Sequence, residues 1–351
     1  MRIAIVSPLY ESVPPKLYGG TERVVSYLTE ELVRSGHDVT LFATGDSVTG
    51  ARLRPMALKG LRLDTECRDP LAHHVAMLHD VLESASEFDV IHFHLDYLHY
   101  PSVRQLRLKA LTTLHGRLDL PDLAPLYRRY DELPLVSISQ AQREPLPWVN
   151  WVGTVHHGLP EDLLRVGDGG GGYLAFLGRI SPEKRPDRAI RIARQVGMPL
   201  RMAAKIERGD QGYFEAVVEP LLGPDVEFIG EIPDRDKGEF LGNARALLFP
   251  IDWPEPFGLV MIEAMACGTP VIACPCGSVP EIVDHGVSGF IAPDEDAAAR
   301  AVAQLDDFDR LACRRRFEQR FSAARMARDY VCLYKRIAAR DDDRPLIRSA
   351  A

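Results

Sequence analysis

Through residues 1–159, short apolar runs alternate with longer stretches whose apolar positions recur at helical spacing. Arg2–Ser7, Asp38–Ala43, Asp89–His94, Ala110–Leu114, Leu135–Ile138 and Val152–His156 predict strands. Thr21–Ser35 places Val24, Val25, Leu28, Leu32 and Val33 on one face, and Gly36 closes the predicted helix. Val75–Ser86 predicts a second helix. Strand and helix alternating through short connections imply a parallel sheet covered on both faces.

The second half repeats the scheme. Tyr173–Gly178, Leu200–Ala203, Val226–Ile229, Ala246–Pro250, Val271–Ala273 and Gly289–Ala292 predict strands. Pro186–Gln195, Tyr213–Leu222, Asp236–Asn243, Leu259–Ala266 and a short Val279–Asp284 predict helices. Between the halves, Gly167–Gly172 spells G-x-G-x-x-G. A dinucleotide fingerprint follows a strand and opens a helix, whereas this run precedes a strand, so it reads as a flexible linker or loop. The expected division is 1–160, 161–320, and 321–351 for a last helix (Ser322–Ala339) followed by a frayed tail, Asp341–Ala351.

The stretch Trp253–Ala273 departs most from a plain pattern. Pro254 and Pro256 keep the lead-in extended, a helix begins at Phe257 or Gly258, and Gly268 stops it. The helix is apolar all round except for Glu263, a carboxylate that must find donors if it is buried. Glu255 stands just before the amides of Phe257, Gly258 and Leu259, where the helix end favours an anion. A ligand with hydroxyls for the two acids and a phosphate for the amides fits this pattern, as a nucleoside diphosphate sugar does. A buried Arg paired with Glu263 and a plain cap at Glu255 fit it equally well.

Composition narrows the class. The chain has 351 residues, 46% hydrophobic and 26% charged, enough for two packed domains. A net charge of −8 argues against a nucleic-acid binder. No apolar run is long enough to span a bilayer, and the first strand is too short for a signal peptide. The six cysteines form no Cys-x-x-Cys pair and are expected as reduced cytosolic thiols. A cytoplasmic protein is expected, with peripheral contact at the inner face of a membrane left open through Arg104–Lys109. A solvated helix face explains that segment equally well.

Other residues carry candidate chemistry. Arg179 and Lys184 could close on a diphosphate, or form a solvated basic loop. Gly19 and Gly20 open a helix in Tyr18–Glu22 and would let backbone approach a ligand, or form a plain turn. His115 ends an apolar run, at the strand edge where α/β sheets bind ligands; a loop histidine with a structural hydrogen bond is the other reading. His92 and His94 share a strand face, but no third ligand stands at metal-site spacing.

The string from Glu255 to Glu263, with Pro-Phe-Gly between and Gly-Thr-Pro after, resembles the Glu-x7-Glu signature of the family-four retaining glycosyltransferases. The resemblance implies a GT-B fold, an α/β architecture of two Rossmann-like doubly wound domains facing across a cleft. The acceptor domain comes first, the donor domain second, and a last helix crosses back. It implies a hexosyl transfer from a UDP- or GDP-sugar to a hydroxyl acceptor, a glycan, lipid-linked or small-molecule sugar, with no metal or other cofactor. Glu255 would hold sugar hydroxyls and Glu263 the ribose diol. Arg179, Lys184 and the helix amides would hold the diphosphate, and Gly19 and Gly20 would lie over it. His115 would lie near the donor sugar, and Gly230 and Ile232 would pack on the base. His157 stands where the family usually has Asn. Asp96, Tyr97 and Arg117 are acceptor-side candidates. Gly277–Glu281 matches the family and is expected to be structural. The rival readings are a nucleotide-sugar epimerase or hydrolase, a non-catalytic nucleotide-sugar binder, and a two-Rossmann oxidoreductase. The last lacks a glycine fingerprint after Val6 or Phe176. No oligomeric state is assigned.

Overall fold

A computed structural model describes residues 1–16 and 19–340; Tyr18 and the expected tail Asp341–Ala351 lie outside the described residues. The chain divides into two compact units. One holds Met1–Ile138, Arg143–Gly158 and the chain from Ala323 on; the other holds Ser139–Gln142 and Leu159–Ser322. The short excursion at Ser139–Gln142 is absent from the contiguous division expected of the sequence. It is held by Glu281, which accepts from the amides of Gln140 (2.8 Å) and Ala141 (2.7 Å).

In the first unit the elements are β1 (Arg2–Val6), α1 (Gly20–Arg34), β2 (Asp38–Thr44), β3 (Arg52–Ala57), α2 (Pro70–Glu83), β4 (Val90–Phe93), α3 (Tyr100–Leu106), β5 (Ala110–Thr113), α4 (Leu123–Arg129), β6 (Leu135–Ser137) and β7 (Trp151–Thr154). All strand pairs are parallel, in the order β3-β2-β1-β4-β5-β6-β7. Ile3–Val6 are fully buried, as expected of a central strand covered on both faces. Helix α2 starts five residues before the expected Val75. Asp69 caps it by accepting from the amides of Leu71 and Ala72, and Pro70 fits the first turn. Strand β3 was not expected: it is a polar edge strand carrying Pro55, a composition that hides a strand from pattern reading.

In the second unit follow β8 (Leu174–Ile180), α5 (Pro186–Gln195), β9 (Leu200–Ile206), α6 (Gln211–Tyr213, continued by a wide turn Phe214–Val218), β10 (Val226–Gly230), α7 (Asp234–Gly242), β11 (Ala246–Phe249), α8 (Leu259–Ala266), β12 (Val271–Ala273), α9 (Val279–Ile282), β13 (Gly289–Ile291), α10 (Glu295–Val302) and α11 (Arg310–Arg320). The parallel order is β10-β9-β8-β11-β12-β13. Its core joins Phe176, Ile190, Met202, Leu248 and Phe290. Helix α12 (Ala323–Ala338) belongs to the first unit. It buries Tyr330 and Tyr334, whose hydroxyls reach Thr113 (2.9 Å) and His92 (2.8 Å).

The glycine run is no flexible linker. The amides of Gly167, Gly169 and Gly171 donate to the carbonyls of Cys267, Gly242 and Asn243. A Cβ on Gly167 would lie 2.2 Å from the Gly242 carbonyl oxygen. These glycines serve close backbone packing against the end of α7, which needs small residues as much as a hinge does.

Candidate active site

An open parallel sheet forms a crevice where the chain leaves neighbouring strands in opposite directions. In the second unit that point lies between β8 and β11. The loops leaving these strands are joined by a backbone bond from the Asp252 amide to the Glu183 carbonyl (2.9 Å). There Lys184, in a tight turn Pro182–Lys184, donates to Glu255 Oε2. The Trp253 indole donates to the same oxygen at 3.0 Å. The Lys184 ammonium stands 4.9 Å from the Trp253 ring centre and 5.6 Å from that of Phe249. The structure thus brings together two candidates 71 residues apart in sequence. Trp253 and Phe249 were not anticipated; an aromatic residue two positions before Glu255 was the available signal. Arg185, beside Lys184, is committed to Asp187 (2.9 Å) and Asp252 (2.8 Å).

The next segment is shaped by glycine. Gly258 caps α8 at φ +79°, so the helix starts at Leu259 rather than at Phe257 or Gly258. Gly277 has φ +56°, and a Cβ there would come within 2.3 Å of the Glu255 amide nitrogen. Ser278 then donates its amide to the Glu255 carbonyl (2.9 Å) and its hydroxyl to the Phe257 carbonyl (2.8 Å). Gly277 and Ser278 therefore brace the loop that carries Glu255, Phe257 and Gly258. At the other end of α8, Arg310 and Arg314 donate to the carbonyls of Cys267 (3.3 Å) and Ala266 (2.7 Å).

Glu263 is buried within α8, with 3% of its surface exposed. The partner is not the buried Arg that the sequence allowed but Lys237 of α7, whose ammonium donates to Oε1 at 2.8 Å. Oε2 is buried with no hydrogen-bond partner among the described residues. One oxygen of the acid is paired and the other is not. The loop holding Gly230 (φ +74°) and half-buried Ile232 leads from β10 into α7, so it is tied to Glu263 through Lys237.

Arg179 is placed differently from expectation. Strand β8 continues to Ile180, and Arg179 pairs in register with Lys205, so it sits on the strand and not in the turn. Its guanidinium faces Glu183, Glu207 (3.3 Å) and Asp210 (3.8 Å). Burial, then the neighbouring acids Glu183 and Glu207 against Arg179, leave the Asp210 pKa raised. This acidic surround was not legible, because Glu207 and Asp210 lie beyond β9.

In the first unit the corresponding point lies between β1 and β4. Gly19 caps α1 and Gly20 is its first residue. A Cβ on Gly19 would strike Pro15 at 2.8 Å. His115, just past β5, joins a cluster of imidazoles. His94 Nδ1 lies 2.8 Å from His115 Nε2, and the His157 ring stacks on His115 at 5.3 Å and 17°. Burial drives the His92, His94 and His157 pKa values well below their usual range and the His115 value down to about 3. His92 bonds Tyr334 and Thr113 (2.7 Å) through its two nitrogens. The place of His157, unexplained from sequence, is this stack. Asp96 follows β4 at φ +46°, Tyr97 is 39% exposed, and Arg117 is bound by Asp119 at 2.7 Å. In the segment Arg104–Lys109, Arg104 pairs with Glu132 and Lys109 donates to the Ala338 carbonyl (2.8 Å). Among the described residues no helix is long and apolar enough to cross a membrane. The one trio in metal-ligating reach there, His79, Asp80 and Glu83, is exposed.

Two parallel α/β units give the chain the GT-B fold. Its solved neighbours have that fold: AviGT4, a glycosyltransferase involved in avilamycin A biosynthesis, superposes with a TM-score of 0.72 at 24% identity, covering 97% of this chain and 98% of that one. Anabaena HepE in complex with UDP and glucose superposes with a TM-score of 0.71 at 19% identity, over 96% and 100%. The profile "Glycosyltransferase Family 4" matches residues 18–146, and "Glycosyl transferases group 1" matches residues 168–319. The chain belongs to the family-four glycosyltransferases. A phosphatidyl-myo-inositol mannosyltransferase of Mycolicibacterium smegmatis is 26% identical over 87% of this chain and 84% of its own length. A D-inositol 3-phosphate glycosyltransferase of Kribbella flavida is 35% identical, over 38% of this chain and 35% of its own.

Proposed function

We propose that this glycosyltransferase moves a hexosyl group from a UDP- or GDP-sugar to a hydroxyl acceptor, with retention at the anomeric carbon and without a metal. The observation that carries the reading is Lys184 meeting Glu255 at the β8/β11 switch point, beside the head of α8. A cation, a carboxylate and the backbone amides at the head of α8 suit a diphosphate linked to a polyol. The solved HepE structures with UDP and with UDP-glucose support a uridine nucleotide as the first ligand to try.

In this reading the C1–O bond to the diphosphate breaks, and the acceptor oxygen bonds to C1 from the same face. The acceptor proton passes to a leaving-phosphate oxygen. Charge gathers on that phosphate as its bond lengthens. Lys184 and the amides of Phe257, Gly258 and Leu259 supply fixed positive potential there without reorganising, and Arg179 adds to it. For Arg179 this role requires release from its acids, so Lys184 carries most of it. Glu255 accepts from sugar hydroxyls, and Glu263 offers Oε2 to the ribose diol. Gly230 and Ile232 pack on the base. His115 contacts the donor sugar, and Gly19 and Gly20 allow backbone to approach the phosphates.

The test pairs a thermal-shift screen of UDP, GDP and ADP with product analysis by NMR. A shift with one nucleotide, turnover persisting in EDTA, and a product with the donor's anomeric configuration are expected. Nucleotide release with no acceptor product would favour a hydrolase, and an inverted product would overturn the mechanism.

A further inference from the structure

The imidazole pair at the end of β5 carries information beyond the donor contact assigned to His115. His94 lies just past β4, is 3% exposed, and holds its Nδ1 at 2.8 Å from His115 Nε2. A hydrogen bond between two neutral rings needs one N–H and one lone pair. Its direction is set by the far side of His94. His94 Nε2 is buried and has no hydrogen-bond partner among the described residues. If His115 were the donor, His94 would carry its proton on Nε2, burying an N–H with nothing to accept it. If His94 is the donor, only a lone pair is buried there. Orphaned buried N–H groups are the rarer and costlier of the two. The depressed pKa values of both rings agree with neutral imidazoles.

We propose that His94 is the positioning residue of His115: its Nδ1–H donates to His115 Nε2 and thereby fixes the proton of His115 on Nδ1. His115 Nδ1 has no hydrogen-bond partner among the described residues, so it is a neutral donor available to an oxygen of the donor sugar. The stacked His157 ring holds the plane of His115, and the His94 bond holds its rotation and tautomer. This proposal rests on the reading of His115 as the donor-sugar contact.

Two readouts on the full chain test it. Long-range proton–nitrogen correlation spectra with labelled histidine report the tautomer directly. The expected result is a protonated Nδ1 on His115 in the native chain, lost in His94→Phe and kept in His94→Asn, whose amide can stand near the position of Nδ1. A native His115 protonated on Nε2 overturns the proposal. Release of nucleotide from UDP-glucose and GDP-mannose is the second readout. His94→Phe is expected to lower kcat at least tenfold with KM within twofold, and His94→Asn to recover most of it. Full activity in His94→Phe alongside a defective His115→Ala overturns the proposal alone. Full activity in His115→Ala overturns the reading of His115, and this proposal with it, whatever tautomer the spectra show.

Discussion

At the scale of single residues, the proposed function divides binding from turnover between the two glutamates. In that proposal Glu255 shares Lys184 with the donor phosphate and meets only the sugar end of the donor. Glu255→Ala is therefore expected to lower kcat more than nucleotide affinity, which steady-state kinetics with calorimetry would separate. Lys184→Ala is expected to weaken nucleotide binding at least tenfold, about 1.4 kcal/mol. Wild-type affinity in that variant would remove the phosphate role. Glu263 depends on Lys237, which is itself only 17% exposed. Lys237→Met leaves a buried acid uncompensated and is expected to cost about 3 kcal/mol in urea denaturation. A cost below about 1 kcal/mol would show that the pair does not hold the acid. The sequence revealed the acid through its apolar surround but not its partner. Lys237 is 26 residues away on a different helix, and only the packing of α7 on α8 selects it.

At the scale of elements, the site is a loop and a helix held from outside. Gly277 approaches the Glu255 backbone so closely that Gly277→Ala must move the loop. An expected cost of at least about 1 kcal/mol for a Cβ at positive φ should come with weakened nucleotide binding. Unchanged stability and affinity would show the brace to be dispensable. Elements with strong apolar runs, such as β1, β12 and α8, were legible because both their faces are buried. Strand β3 and the short helices α3 and α4 were not, since polar edges and seven-residue helices leave little period to read. The glycine run was read correctly as no nucleotide fingerprint, and of the two readings left, flexible linker or loop, it is a loop held by backbone bonds. Its packing against Gly242 is a tertiary fact that glycine content alone does not reveal. Arg179 was misplaced by the same blindness, because the pairing of β8 with β9 decides where the strand ends.

At the scale of the whole molecule, the histidines make stability depend on pH. His92, His94, His99, His115 and His157 all have pKa values lowered by burial, His99 and His115 to about 3. Unfolded, each would titrate near 6.5. Below that pH the unfolded chain takes protons the folded one refuses. The stability lost therefore begins near pH 6.5 and grows as pH falls, by up to about 1.4 kcal/mol per pH unit for each histidine. Urea midpoints taken between about pH 7.5 and 5.5 should fall, and His99→Phe should flatten the fall. A midpoint independent of pH would show that these rings titrate in the fold as they do unfolded. The two-sheet architecture was read from alternation, and the candidate site from the Glu255–Glu263 string with the family resemblance it carries. The most direct measurement is calorimetry of UDP and GDP on the native chain and on Glu263→Ala, repeated with the 2′,3′-dideoxy form of the tighter nucleotide. The account predicts a loss of tenfold or more with the ribonucleotide and no further loss with the dideoxy form. Native affinity in Glu263→Ala, or an equal loss with both nucleotides, would contradict it.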